Sequence, residues 1–314
     1  MKRYILLYSV SLMSSLMSCT ASSEKKDSVK LASTVNTIAQ PCPIPEPVLT
    51  CEDPEKQKLI LTCEDPEIQK MISEPVLTCE RSKKQKLKAE CEAWINEHVN
   101  RDFLTGNVLR KDNPLFVKVD TAHTERNIYL IHPVYEAYKK MYEAALADSV
   151  KLMVISGHRN FIEQVYEWEL RWDNPRTDTV FENDIKKVKY LLQYRSIPGT
   201  SRHHWGTDID LNSFELDYYQ TKEGQKVYNW LKENAETYGF FQPYTALDEK
   251  RPTGYNEEKW HWSYKPLSRL MLVKYLELVS INDISGFKGD TAAKSLPIIA
   301  EWVRGINKQL NEED

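Results

Sequence analysis

Two regimes of patterning divide the chain. From about residue 94 onward the apolar positions recur with periods that specify elements, whereas before it they barely recur. Val134, Tyr138, Met141, Tyr142 and Ala145 fall at helical spacing within 133–147, and Pro133 suits a first turn, where its missing N–H costs nothing. Lys151 to Ser156 is a short apolar run that predicts a buried strand, ending at Ser156-Gly157-His158-Arg159. Phe161 to Trp172 predicts a helix, and Asp184 to Tyr194 another, closed by Ile197-Pro198-Gly199. Thr207 to Leu211 alternates as a strand does, Val227 to Tyr238 is an amphipathic helix stopped by Gly239, and Trp260-His261-Trp262 alternates again. Helices with few, scattered strands predict an α+β domain rather than a regular βαβ series. The Lys/Glu-rich end, Asn307 to Asp314, reads as a solvated helix end or tail.

Composition sharpens the division. Residues 9–93 contain no Phe, Tyr or Trp, and all eight Trp lie from Trp94 onward. A segment so poor in large apolar groups cannot offset the entropy of its own ordering, so the core is expected to begin near residue 92. The start, with Lys2 and Arg3 before a short apolar stretch, reads as an export signal over 1–18. Its end, Leu16-Met17-Ser18-Cys19, resembles a bacterial lipobox, which implies a lipid on Cys19 and a membrane anchor in the cell envelope. Residues 19–91 read as a repeat tether: Glu46 to Glu52 returns as Glu74 to Glu80, and Leu61 to Glu67 copies Leu49 to Glu55. Its Cys spacings do not match a Cys-x-x-Cys zinc module, but an oxidising envelope would let the thiols pair. The remaining 92–314 is long enough for one compact domain. A net charge of -4 and 41% hydrophobic residues exclude a polytopic membrane chain and a strongly basic nucleic-acid binder. No G-x-G-x-x-G, Walker loop or G-x-S-x-G elbow is present.

Candidate chemistry sits in two places, Ser201-Arg202-His203-His204-Trp205-Gly206-Thr207-Asp208-Ile209-Asp210 and Glu258-Lys259-Trp260-His261-Trp262. Peptide hydrolysis at neutral pH needs a strong nucleophile, which Zn2+ on three N/O ligands supplies by acidifying a bound water. His203, Asp210 and His261 can be those ligands, and Glu258 can be the unligated carboxylate that takes the water proton. Strand alternation puts Asp208 and Asp210 on one face and Ile209 and Leu211 on the other. His203 must then approach from the preceding loop. On a straight strand Glu258 and His261 would face opposite ways, so Glu258 is expected where the chain still bends into the strand.

The pattern S-x-H-x-x-G-x-x-x-D followed by E-x-W-H, with S-G-x-R upstream, resembles the zinc D-alanyl-D-alanine carboxypeptidases of the VanY type, over about Tyr129 to Tyr264. The resemblance implies an α+β domain with a small antiparallel sheet flanked by helices, holding one zinc and trimming the C-terminal D-Ala of peptidoglycan stem peptides. It gives His203, Asp210 and His261 to the metal and Glu258 to general-base work. It places Arg159 on the substrate, at its terminal carboxylate or the developing oxyanion, and Gln164 and Ser201 at substrate contacts. The same metal centre would also serve an L,D-carboxypeptidase, a D,D-dipeptidase or an endopeptidase, and a non-catalytic wall-binding lipoprotein is the alternative of another class. Two departures stand out: Asp208 replaces a small apolar residue and would either orient a ligand or compete for the metal, and His204 adjoins the first ligand. His158 replaces a common aromatic.

Overall fold

A computed structural model describes residues 85–312 apart from 87, 176, 178 and 179. These all belong to the second of two compact units of the chain, residues 38–314. The export signal and nearly all of the tether read from the sequence lie outside the described residues.

The first helix, α1 (88–98), runs through the expected start of the domain. It buries Cys91, Trp94 and Ile95, one face at helical spacing, in the main core. Cys91 is disulfide-bonded. After the short α2 (Arg101–Leu104), the strands β1 (Phe116–Lys118) and β2 (Tyr129–Ile131) form an antiparallel pair. Helix α3 (His132–Ala147) follows with Pro133 in its first turn, burying Val134, Tyr138, Met141 and Ala145. Three-residue strands are too short to show a period, which is why β1 and β2 are invisible in the sequence pattern.

The sheet that carries the site has the order β3-β4-β6-β5, with every neighbour antiparallel. Its strands are β3 (Val154–Ser156), β4 (Asp208–Leu211), β5 (Phe240–Phe241) and β6 (His261–Tyr264). Both central strands are buried at all four positions, because helices and loops cover both faces. Asn160 opens α4 (Phe161–Asp173) with a reciprocal cap to Glu163, and Asn183 caps α5 (Asp184–Leu191). Thr221 caps α6 (Lys222–Asn234), which tightens into a 3-10 turn at Ala235–Tyr238 and ends at left-handed Gly239. Helix α7 (Lys265–Leu278) leaves β6 directly, with Pro in its first turn.

The C-terminal stretch expected to be solvated is exposed at Lys308, Gln309, Asn311 and Glu312 but anchored at Leu310. Ile306 and Leu310 are 3% and 0% exposed, and Asn307 donates its backbone N–H to Pro243 O. One apolar side chain in the polar stretch, with Ile306 just before it, anchors it. The helix expected to reach Tyr194 stops at Leu191, where the following N–H groups of Gln193 and Tyr194 turn back to carbonyls three residues earlier.

Candidate active site

Register explains the centre of the site. Across β4 and β6, Asp210 stands opposite His261 and Asp208 opposite Ser263, so all four side chains share one face. His203 comes from the 3-10 turn Arg202–Trp205, which Ser201 caps through its hydroxyl and Gly206 ends at φ 68. A Cβ on Gly206 would stand 2.6 Å from the Phe116 ring, so a glycine is needed both for the φ and for the space.

One ligand atom from each of His203, Asp210 and His261 lies within 4.8 Å of the others, with all three residues buried. Hydrogen bonds assign which ring nitrogens face inward. His203 Nδ1 is 2.8 Å from Gly157 O, which can only accept, so Nδ1 donates there and Nε2 points at Asp210 Oδ2, 3.2 Å away. His261 Nε2 is 3.0 Å from Asp208 Oδ2, so it donates outward and Nδ1 faces Asp210 Oδ1 at 3.7 Å. Asp210 Oδ1 is buried without a hydrogen-bond partner. Two imidazole lone pairs and a carboxylate converging on an orphaned oxygen fit Zn2+ in ligand type and number.

The electrostatics agree with that fit. Burial works against the Asp210 anion, yet His203, His261 and Arg159 draw its pKa down to about 2. Burial works against a cationic His261, yet hydrogen bonds from its ring to Asp208 and Glu258 raise its pKa to about 10. A site that holds this much positive charge among carboxylates is built for a cation, and a proton on His261 Nδ1 competes with a metal for the same place.

Glu258 lies where the sequence puts it, in the bend before β6. His261 N–H donates to Glu258 O at 3.3 Å, closing a turn, and the side chain reaches to 2.8 Å from His261 Nδ1. Its backbone is pinned at both ends, N–H to Tyr244 O at 2.9 Å and carbonyl from Gln242 Nε2 at 3.1 Å. Tyr244 stands edge-on to His261, ring centroids 4.9 Å apart, and walls the site. Arg159 is bolted to the ligand-bearing turn: its N–H donates to His203 O at 3.0 Å, and its carbonyl accepts from His204 Nδ1 at 2.7 Å. Its half-buried guanidinium has no hydrogen-bond or ion-pair partner among the described residues, and Asp210 and Glu258 pull on its charge while burial lowers its pKa.

His204 adjoins the candidate ligand cluster without joining it. Its other nitrogen accepts from Gly199 N–H at 3.0 Å, and burial lowers its pKa to about 3, so the ring bridges two loops as a neutral strut. Gln164 is 1% exposed, giving Nε2 to Ser196 O while Oε1 has no partner. Ser201 is 2% exposed and serves as the cap of the ligand turn. His158 packs on Phe116 with both ring nitrogens buried and unbonded. Pattern reading overlooked Arg202, Thr207 and Ser263, which surround Asp208; period-two spacing from His261 is the signal that could have found Ser263.

Residues 127–267 match the profile of the VanY family, described as D-alanyl-D-alanine carboxypeptidase. They are a VanY-type domain. The D-alanyl-D-alanine carboxypeptidase of Enterococcus faecalis is 26% identical to the chain over 164 residues, covering 50% of this chain and 57% of that protein. The putative carboxypeptidase YodJ of Bacillus subtilis is 29% identical over 147 residues, covering 43% and 46% respectively. The chain thus spans about half the length of the curated relatives it matches. Among solved structures, a zinc complex of a vancomycin-resistance D,D-pentapeptidase VanY variant aligns with TM-score 0.38 and 21% identity, over 57% of this chain and 88% of that one. The LD-carboxypeptidase LdcB aligns with TM-score 0.40 and 20% identity, over 55% and 77%. The VanY-type match contains every residue of the candidate site, from Arg159 to His261.

Proposed function

We propose that the protein is a zinc-dependent D-alanyl-D-alanine carboxypeptidase that removes the terminal D-Ala from peptidoglycan stem peptides. The observation that carries this is the convergence of His203 Nε2, Asp210 and His261 Nδ1 beside a pinned Glu258 carboxylate and an Arg159 guanidinium that has no partner among the described residues. His203, Asp210 and His261 would hold the ion, which when bound acidifies a water and polarises the scissile carbonyl. Glu258 accepts the water proton and returns it to the leaving amine. Arg159 offers a planar fork that matches the substrate's terminal carboxylate and fixes the chain end next to Glu258. Tyr244 closes one side against bulk water.

The test is a muropeptide digest with the full-length, zinc-loaded protein, read by mass. Loss of one alanine from pentapeptide stems is expected, and Glu258→Gln should slow it about 10²–10⁴-fold. Cleavage of tetrapeptide stems instead would make the enzyme an L,D-carboxypeptidase on the same chemistry, and no released residue at all would refute an enzyme of this kind.

The same reading places the protein outside the cytoplasm, held to a membrane by a lipid on Cys19. It is supported by the basic start at Lys2 and Arg3, the short apolar stretch after it and the Leu16-Met17-Ser18-Cys19 sequence. Metabolic labelling with a fatty-acid analogue should mark the wild-type chain and not Cys19→Ala; an unlabelled wild type would rule the anchor out.

A further inference from the structure

Behind the three ligands lies a second layer of polar side chains. Each segment that bears a ligand bears one member of it: Arg202 precedes His203, Asp208 stands two before Asp210, and Ser263 two after His261. Because β4 and β6 pair Asp208 with Ser263 and Asp210 with His261, ligands and second layer form consecutive rungs on one face of the sheet.

Asp208 is the hub, and its side chain is 0% exposed. Its Oδ2 accepts from Arg202 Nε at 2.8 Å and from His261 Nε2 at 3.0 Å. Its Oδ1 accepts from Thr207 Oγ1 at 2.7 Å and from Ser263 Oγ at 2.9 Å. A carboxylate has about four lone-pair sites, and these four donors fill them. Ser263 has one proton to give and spends it on Asp208, so it receives Arg202 Nη2 at 2.6 Å and lies 2.9 Å from Ser268 Oγ. The Arg202 guanidinium also rests on the Trp205 ring, 4.8 Å from its centroid. An isolated buried carboxylate would be costly, and Arg202 is the counter-charge that permits it.

We propose that Asp208, locked by Arg202, is a positioning residue that turns His261 so that Nδ1 is its metal-binding nitrogen, and that it does not itself bind the metal. This inference rests on the metal reading above. With no acceptor at Nε2, nothing on that side would hold the imidazole; with Asp208 saturated and fixed, the orientation in which Nε2–H donates to it leaves Nδ1 facing Asp210 and Glu258. The layer also ties the turn, β4 and β6 together, so the three ligands keep their spacing before any ion arrives.

The test replaces the buried ion pair as a unit, Arg202→Met with Asp208→Leu, since apolar substitution of both partners often preserves folding. Zinc affinity of the full-length, metal-stripped protein is measured by competition with a chromophoric chelator, alongside cooperative unfolding in urea. A variant that unfolds cooperatively yet binds zinc about 10–100-fold more weakly is expected; affinity within threefold of wild type overturns the proposal. If wild type takes up no zinc, the metal reading itself fails. Should the double variant not fold, nitrogen-15 correlation spectra of histidine-labelled, zinc-loaded wild type decide: His261 must carry its proton on Nε2, and a proton on Nδ1 overturns the proposal.

Discussion

His204 adjoins the candidate ligand His203 in sequence, and removing it tests whether its work is structural. In His204→Ala, Gly199 N–H loses its acceptor and Arg159 O loses its donor, both in the interior. Each orphaned buried backbone group costs about 1–3 kcal/mol. The ring is 0% exposed, and it packs so closely that a Cβ on Gly106 would meet its Nδ1 at 2.4 Å, so its loss also leaves a void. The two groups together come to about 2–6 kcal/mol before the void is counted, in the range that marks a specific buried network. For a domain of this size that amounts to a fall of roughly 10 °C or more in Tm. The assay is urea unfolding of wild type, His204→Ala and His204→Gln, with zinc stoichiometry measured on each. His204→Gln keeps a donor and an acceptor and should recover part of the loss, and zinc stoichiometry should be unchanged in both. A loss under about 1 kcal/mol, or a loss of bound metal without a loss of stability, would refute the strut and make His204 a ligand.

Arg159→Lys keeps the charge but not the fork; kcat/KM on stem pentapeptide should fall about 10–100-fold, and an unchanged value would remove Arg159 from carboxylate binding. Gly206→Ala places a methyl 2.6 Å from the Phe116 ring at φ 68 and should cost at least about 2 kcal/mol; equal denaturation midpoints would contradict the strain. Glu163 pairs with both terminal nitrogens of Arg110, at 2.6 Å and 2.7 Å, and those bonds together with its capping role lower its pKa although burial opposes them. A depressed carboxylate stabilises above its unfolded pKa and loses that contribution as pH falls through the folded value. Glu163→Gln should therefore cost about 1 kcal/mol at neutral pH, discounted for its exposure, and flatten the acid side of the stability curve. An acid limb identical to wild type would contradict this.

The clustering of His203, Asp210 and His261 was legible in the sequence because it rests on short-range rules. Two carboxylates two apart on a strand share a face, and a histidine at a turn before it can reach over. Glu258 was legible for the same reason, as a bend three residues before a strand position. The role of Asp208 was not: orienting a ligand and competing for the metal demand the same residue, and only the four donors around it, drawn from β4, β6 and the preceding turn, separate the two. The N-cap role of Ser201 and the inward turn of Gln164 also depend on tertiary partners, Ser196 among them. The α+β class followed from local periods, while β1, β2 and the anchoring of Leu310 escaped because a three-residue strand and a single apolar side chain leave no period to detect.

The two hydrogen bonds that bolt Arg159 to His203 and His204 have a consequence for what the site measures. The group that would grip the end of a substrate and the turn that would hold the metal are, mechanically, one piece. Breathing of the outer loops can change how easily a peptide enters without parting the two backbones on which grip and cutting point are mounted. The domain is in this sense a calliper with a fixed beam and one adjustable jaw, and a change in the length of residue it accepts falls to the reach of the Arg159 side chain.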